Sequence, residues 1–139
     1  RKLVKKGDFV INSRSDRKGS SGLSKLDGSV SLINIVLKPI NINSDFSHIL
    51  LKSNGFIEEF YRNGHGIVAD LWTTRFWDMK SIMLAIPPKD EQLQIVEYIE
   101  NQTTKIDKAI ELQQNYISKL KEYKASLIDG VVTGKVRVL

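Results

Sequence analysis

The sequence predicts an α+β domain followed by one long helix. Three observations lead to that class. Short β-branched or apolar runs alternate with helix-patterned stretches through residues 3–86. A double proline, Pro87-Pro88, then stops whatever precedes it. A helical pattern follows in which no Gly or Pro interrupts the chain until Gly130. Residues 1–86 are therefore read as the globular domain, a small mixed α/β unit, and residues 87–139 as the helix with its tail.

Within the domain, Leu3-Val4, a turn at Gly7-Asp8 and the run Phe9-Val10-Ile11 predict a strand leaving a tight turn. Residues 12–25 (NSRSDRKGSSGLSK) are rich in Ser, Gly and charge and read as a loop. Residues 29–37 (SVSLINIVL) are β-branched and read as one buried strand, ended by Pro39. Ser44 is the expected N-cap of a helix that carries Phe46, Ile49 and Leu50, with Asp45 in its first turn and a break at Asn54-Gly55. A second short helix, residues 56–61, ends at Asn63-Gly64. Residues 66–71 and 80–86 read as two more strands, joined by the polar and aromatic stretch WTTRFWD. Trp72, Phe76 and Trp77 in that stretch are expected to pack under the last strand, with base stacking as the alternative use.

The long helix carries a stripe at alternating spacings of three and four: Val96, Ile99, Thr103, Ile106, Ile110, Gln113, Ile117, Leu120, Lys124 and Leu127. That is a coiled-coil seam with three polar interruptions, which can fix register. Residues 90–128 span roughly 58 Å at 1.5 Å per residue, too long for the domain to cover. Left bare, the stripe is an apolar surface that must pair. The expected pairing is antiparallel, with a second copy or with a matching repeat, through Val96, Ile99, Ile106, Ile110, Ile117, Leu120 and Leu127. A parallel pair would bring both domains to the same end.

Composition narrows the function. The formal charge is +5, and residues 1–25 alone hold eight Lys/Arg against two Asp. A basic patch beside a near-neutral body fits a polyanion partner, or else a merely solvated terminus. Cysteine is absent, which excludes disulfides and thiolate chemistry and suits a cytoplasmic protein. No run is long and apolar enough for a membrane span. The chain lacks an initiating Met and reads straight into a strand, so it is expected to begin inside its domain.

The basic loop offers Arg14, Arg17, Lys18 and Lys25 among small residues that let a backbone approach phosphates. Arg62, Asn63, Thr74 and Arg75 lie on other connections, where Arg suits guanine, Asn adenine, and Thr a phosphate or thymine methyl. Asn63-Gly64 also fits plain turn chemistry. Glu58 and Glu59 are adjacent on a helix and point apart. His48 and His65 lack a spaced carboxylate set, so no metal site is expected. Asp8, Asp27 and Asp70 are the carboxylates a small Mg²⁺ nuclease would have to use, but no carboxylate-x-Lys pairing supports one. The stretch from Gly130 to Lys135 has the wrong spacing for a phosphate loop. Ile86-Pro87-Pro88-Lys89 lacks both the polar and the aromatic residue of an adenine-methylating loop.

One succession of elements carries a resemblance: Pro87-Pro88-x-x-Glu91-Gln92-x-x-Ile95, then Lys105-Ile106-Asp107, Leu120-Lys121-x-x-Lys124, Leu127-Ile128 and Thr133-Gly134-Lys135. In that order it resembles the repeated helical region of type I restriction-modification DNA specificity subunits, over about 50 residues, and the segment before it resembles more loosely their target recognition domain. The resemblance implies a target recognition domain, truncated at its start, with the helix as a spacer. It also implies sequence-specific binding of double-stranded DNA without catalysis in this chain. Adenine methylation and restriction would belong to a methyltransferase (M) subunit and a restriction (R) subunit, which would hold S-adenosylmethionine, Mg²⁺ and ATP. The reading from another class is a coiled-coil interaction protein whose basic globular end binds another protein or RNA.

Overall fold

The computed structural model describes residues 1–14, 17–68 and 71–138. The fold is α+β: small antiparallel sheets and short helices, followed by one long helix. The chain divides into two compact units, Arg1–Glu97 and Tyr98–Leu139.

The first unit opens with β1 (Lys2–Val4) and β2 (Phe9–Asn12), joined by a turn at residues 5–8. Gly7 takes φ 91° there, a conformation that costs glycine little. The Asp8 carboxylate accepts from the Lys5 backbone N–H at 2.8 Å and closes the turn. β3 (Ser21–Leu23) follows, then β4 (Gly28–Val30) and β5 (Asn34–Leu37). β1 pairs with β4, and β2 lies between β3 and β5, all antiparallel. β2 alternates as a half-buried strand should: Phe9 and Ile11 face the core, while Val10 and Asn12 are partly exposed.

α1 (Ser44–Lys52) and α2 (Asn54–Arg62) cover one face of the three-stranded sheet. Phe9, Ile11, Ile35, Leu51 and Phe56 form the core, with Leu37, Phe60, Met79 and Ile82 packed around it. Each helix has a side-chain cap: Asn43 accepts from the Phe46 N–H at 2.9 Å and Ser53 from the Phe56 N–H at 3.2 Å. A short α3 (Phe76–Met79) precedes α4 (Lys89–Val132).

Several local expectations are corrected. The loop at residues 12–25 contains β3, which forms because the edge of β2 offers it three paired positions. Residues 29–37 are two strands, split by a turn at residues 31–33 that the Asn34 N–H closes onto the Ser31 carbonyl at 3.1 Å. The N-cap of α1 is Asn43 rather than Ser44. Residues 80–86 form no strand, and residues 83–86 make no backbone hydrogen bond among the described residues. The described part of residues 66–71 is a bend in which the Leu71 N–H donates to the Val68 carbonyl. Trp72 stacks on Tyr61, while Phe76 and Trp77 pair edge-on and stay largely exposed, so the three do not form one buried cluster.

The start of α4 is locked into the first unit. Gln92 is 1% exposed. Its Oε1 accepts from the Asn43 N–H at 2.9 Å, and its Nε2 donates to the Pro87 carbonyl at 2.8 Å. Val96, one turn further on, is buried in the same unit. That corrects its place on the pairing stripe: it is already covered by its own domain. In the second unit, Ile106, Ile110, Ile117, Leu120 and Leu127 are all exposed, and Ile99 is partly so. α4 continues through Gly130 to Val132, and Gly134 at φ 75° ends it as the Val136 N–H bonds the Gly130 carbonyl. Among the described residues, no helix is long and apolar enough to cross a membrane.

Candidate nucleic-acid interface

The end of β2 and the segment after α2 are sewn together by residues 73–75. Thr73 bridges both Arg14 and His65. The His65 and Thr73 backbones exchange two hydrogen bonds of 2.9 Å, and the Thr74 N–H donates to the Ser13 carbonyl at 2.9 Å. The Thr74 side chain turns inward. It is 2% exposed, and its hydroxyl donates to the Phe60 carbonyl at 2.8 Å, satisfying one of the last carbonyls of α2. Trp72 closes the same corner by donating from Nε1 to the Tyr61 carbonyl at 2.9 Å. Nothing larger than glycine fits at residue 64, because a Cβ there would lie 2.3 Å from Trp72 Nε1 and 2.7 Å from Thr74 Oγ1.

This stitching places Arg14 beside Arg75. Both side chains line one open groove of about 460 Å³, together with Lys2, Leu32, Ile33 and Phe76. Among the described residues, no Asp or Glu lines it. Neither Arg14 nor Arg75 forms an ion pair among the described residues. The Lys2 ammonium donates to the Asn34 carbonyl at 2.5 Å and forms no ion pair among the described residues. Arg75 also begins α3, its N–H donating to Asp78 Oδ2 at 2.8 Å, while the other oxygen of Asp78 sits 3.2 Å from His65 Nε2.

The other sequence candidates stand differently. Lys18 meets both carboxylate oxygens of Glu58 at 2.7 Å, and its ammonium lies 4.6 Å from the Tyr61 ring centre. Arg62 pairs with Glu59 at 2.6 Å, one turn away on α2. The two adjacent glutamates thus hold two different cations. Asn63 Nδ2 donates to the Glu59 carbonyl at 2.8 Å, and its Oδ1 accepts from the Ser81 hydroxyl at 3.3 Å, so the amide is spent on ending α2. Arg17 and Lys25 are exposed. Burial removes Thr74 from the candidate DNA-binding residues.

Sequence reasoning missed Lys2, Leu32, Ile33 and Phe76 as groove residues. The signal for the turn was the pair Ser31 and Asn34, two polar residues interrupting an apolar run. Of the three aspartates, Asp27 accepts from the Lys6 N–H at 2.8 Å and the Lys5 ammonium at 2.9 Å. Those two donors, the backbone N–H first, lower its pKa below the usual carboxylate value. Asp8 is engaged in the turn, and Asp70 lies outside the described residues. Among the described residues, no three His, Asp or Glu side chains converge as a metal site. The chain matches no family model and no curated protein.

Proposed function

We propose that this chain is the DNA-reading module of a type I restriction-modification specificity subunit, acting in the cytoplasm and performing no bond chemistry itself. The observation that supports this best is the groove flanked by Arg14, Arg75 and Lys2, with no carboxylate among the described residues that line it. Such a groove suits a phosphate backbone and the acceptor-rich edge of guanine. The helical stripe, bare from Ile106 to Leu127, supports the spacer role: antiparallel pairing with a second copy or a matching repeat sets two reading domains apart. Methylation and restriction fall to M and R subunits, with S-adenosylmethionine, Mg²⁺ and ATP held there.

The pure chain is expected to bind duplex DNA with an affinity that falls steeply as salt rises. It is expected not to take up S-adenosylmethionine in a calorimetric titration, nor to nick plasmid with Mg²⁺. Micromolar cofactor binding or metal-dependent nicking contradicts the non-catalytic role. A second reading, a coiled-coil protein whose globular end binds protein or RNA, draws on one specific feature. Leu37, Ile40, Leu84 and Ile86 line an apolar groove beside residues 83–86, whose backbone is unpaired among the described residues. Salt-insensitive nucleic-acid binding would favour that reading.

A further inference from the structure

We propose that the turn between β4 and β5 supplies the apolar half of the reading surface. Leu32, with Ile33 and Phe76 beside it, contacts the C5-methyl group of thymine in the major groove of duplex DNA, while Arg14 and Arg75 hold phosphate or guanine. This rests on the DNA-reading role proposed above and narrows it to a base type.

A groove that only gripped phosphates would have no use for apolar side chains between its cations. Yet Leu32 is 66% exposed and Phe76 45% exposed, and both line the groove that Arg14 and Arg75 flank. The turn is also built to hold Leu32 still. Asn34 closes it from one side through the Ser31 carbonyl, and the Lys2 ammonium grips the Asn34 carbonyl from the other. Behind it, β5 is locked to β2 over four paired positions, from Asn34↔Asn12 to Leu37↔Phe9. An apolar tip on so firm a base is a presented surface.

The chemistry of the base edges selects the ligand. In the major groove only thymine offers an apolar group, and guanine offers the paired acceptors that suit arginine. Reading cytosine through its amino group calls for a carboxylate, and none of the described residues lining this groove carries one. Charge and apolar surface together therefore favour duplex DNA with guanine and thymine on the contacted edge. RNA, which lacks the methyl group, forgoes the interaction with Leu32.

The test starts from the full chain and a pool of duplexes with a randomised core. Retained sequences are resynthesised with uracil in place of thymine, one position at a time, which removes the methyl group and nothing else. The expected result is a loss of roughly fourfold in affinity at one or two positions, the worth of one buried methyl group. Leu32→Ala, at an exposed site, is expected to keep the wild-type melting temperature and salt dependence but to bind the thymine and uracil duplexes alike. If the wild-type chain selects a sequence yet ignores uracil at every position, the Leu32 assignment is overturned and the DNA reading stands. If it binds no duplex, or prefers an acidic apolar peptide, both fall together.

Discussion

Lys18 and Arg62 each end on a carboxylate of α2, whereas Arg14 and Arg75 end over a groove that no carboxylate lines among the described residues. The four are alike in charge and all stand on connections or helix ends. What separates them is the neighbour: Glu58 and Glu59 neutralise the first pair, and the inward turn of Thr74 carries Arg75 to the side of Arg14. A cation count along a sequence measures charge; only the fold decides how much of it a polyanion can reach. The same distinction divides α4. Gln92 and Val96 are covered by their own domain, while Ile110 and Ile117, farther along the same stripe, are bare.

The largest effect is expected at that bare stripe. Ile110→Asp with Ile117→Asp puts charge into a seam that is otherwise expected to pair, and self-association of the chain should be lost while the first unit melts as before. Sedimentation of the unaltered chain as a clean monomer at high micromolar concentration contradicts the pairing. So do spin labels near Asp90 on two chains found within a few ångströms of each other, because that distance belongs to a parallel pair.

Next comes the stitch that sets the cations apart. Thr74→Val removes the hydroxyl that satisfies Phe60 and leaves a carbonyl buried without its donor, at a cost of about 1–3 kcal/mol. Denaturant titration should show that loss. Duplex binding should weaken with it, because Arg14 and Arg75 lose their common platform. A variant as stable as the parent shows that the stitch is not what places the groove.

A smaller effect is expected from Glu58→Gln with Glu59→Gln, which frees Lys18 and Arg62. Surface ion pairs of this kind are worth about 0–1 kcal/mol, so stability should hardly change. Duplex binding should tighten a few-fold at low salt and lose that gain as salt screens it. Binding that is indifferent to both changes places the polyanion far from α2.

Much of the fold was legible because it rests on local chemistry. The turn at Gly7-Asp8, the two short helices α1 and α2 and the uninterrupted run of α4 each follow from propensity and spacing within a few residues, although the cap of α1 falls on Asn43 and not on Ser44. What was not legible depends on distant partners. Ser21–Leu23 has no strand-like pattern of its own and becomes β3 because β2 offers it an edge. Residues 83–86 (MLAI) look like a strand, yet none of the described residues pairs with them. The site followed the same rule. The basic residues could be named from sequence, but their division into paired and unpaired sets lay in contacts 40 residues apart, as between Lys18 and Glu58. Thr74 looked like a surface donor because nothing in its neighbourhood announces Phe60 as its acceptor.

The most direct measurement compares the two pairs of cations in one experiment: the salt dependence of duplex binding for the parent chain, for Arg14→Ala with Arg75→Ala, and for Lys18→Ala with Arg62→Ala. Removing a cation from one phosphate flattens the slope of log affinity against log salt by about 0.9 units. The groove variant should bind at least about tenfold more weakly, with a slope flattened by one or two such steps. The α2 variant should keep both affinity and slope close to those of the parent. If the groove variant binds as the parent does and the α2 variant shows the weaker binding, the groove is not where DNA is read.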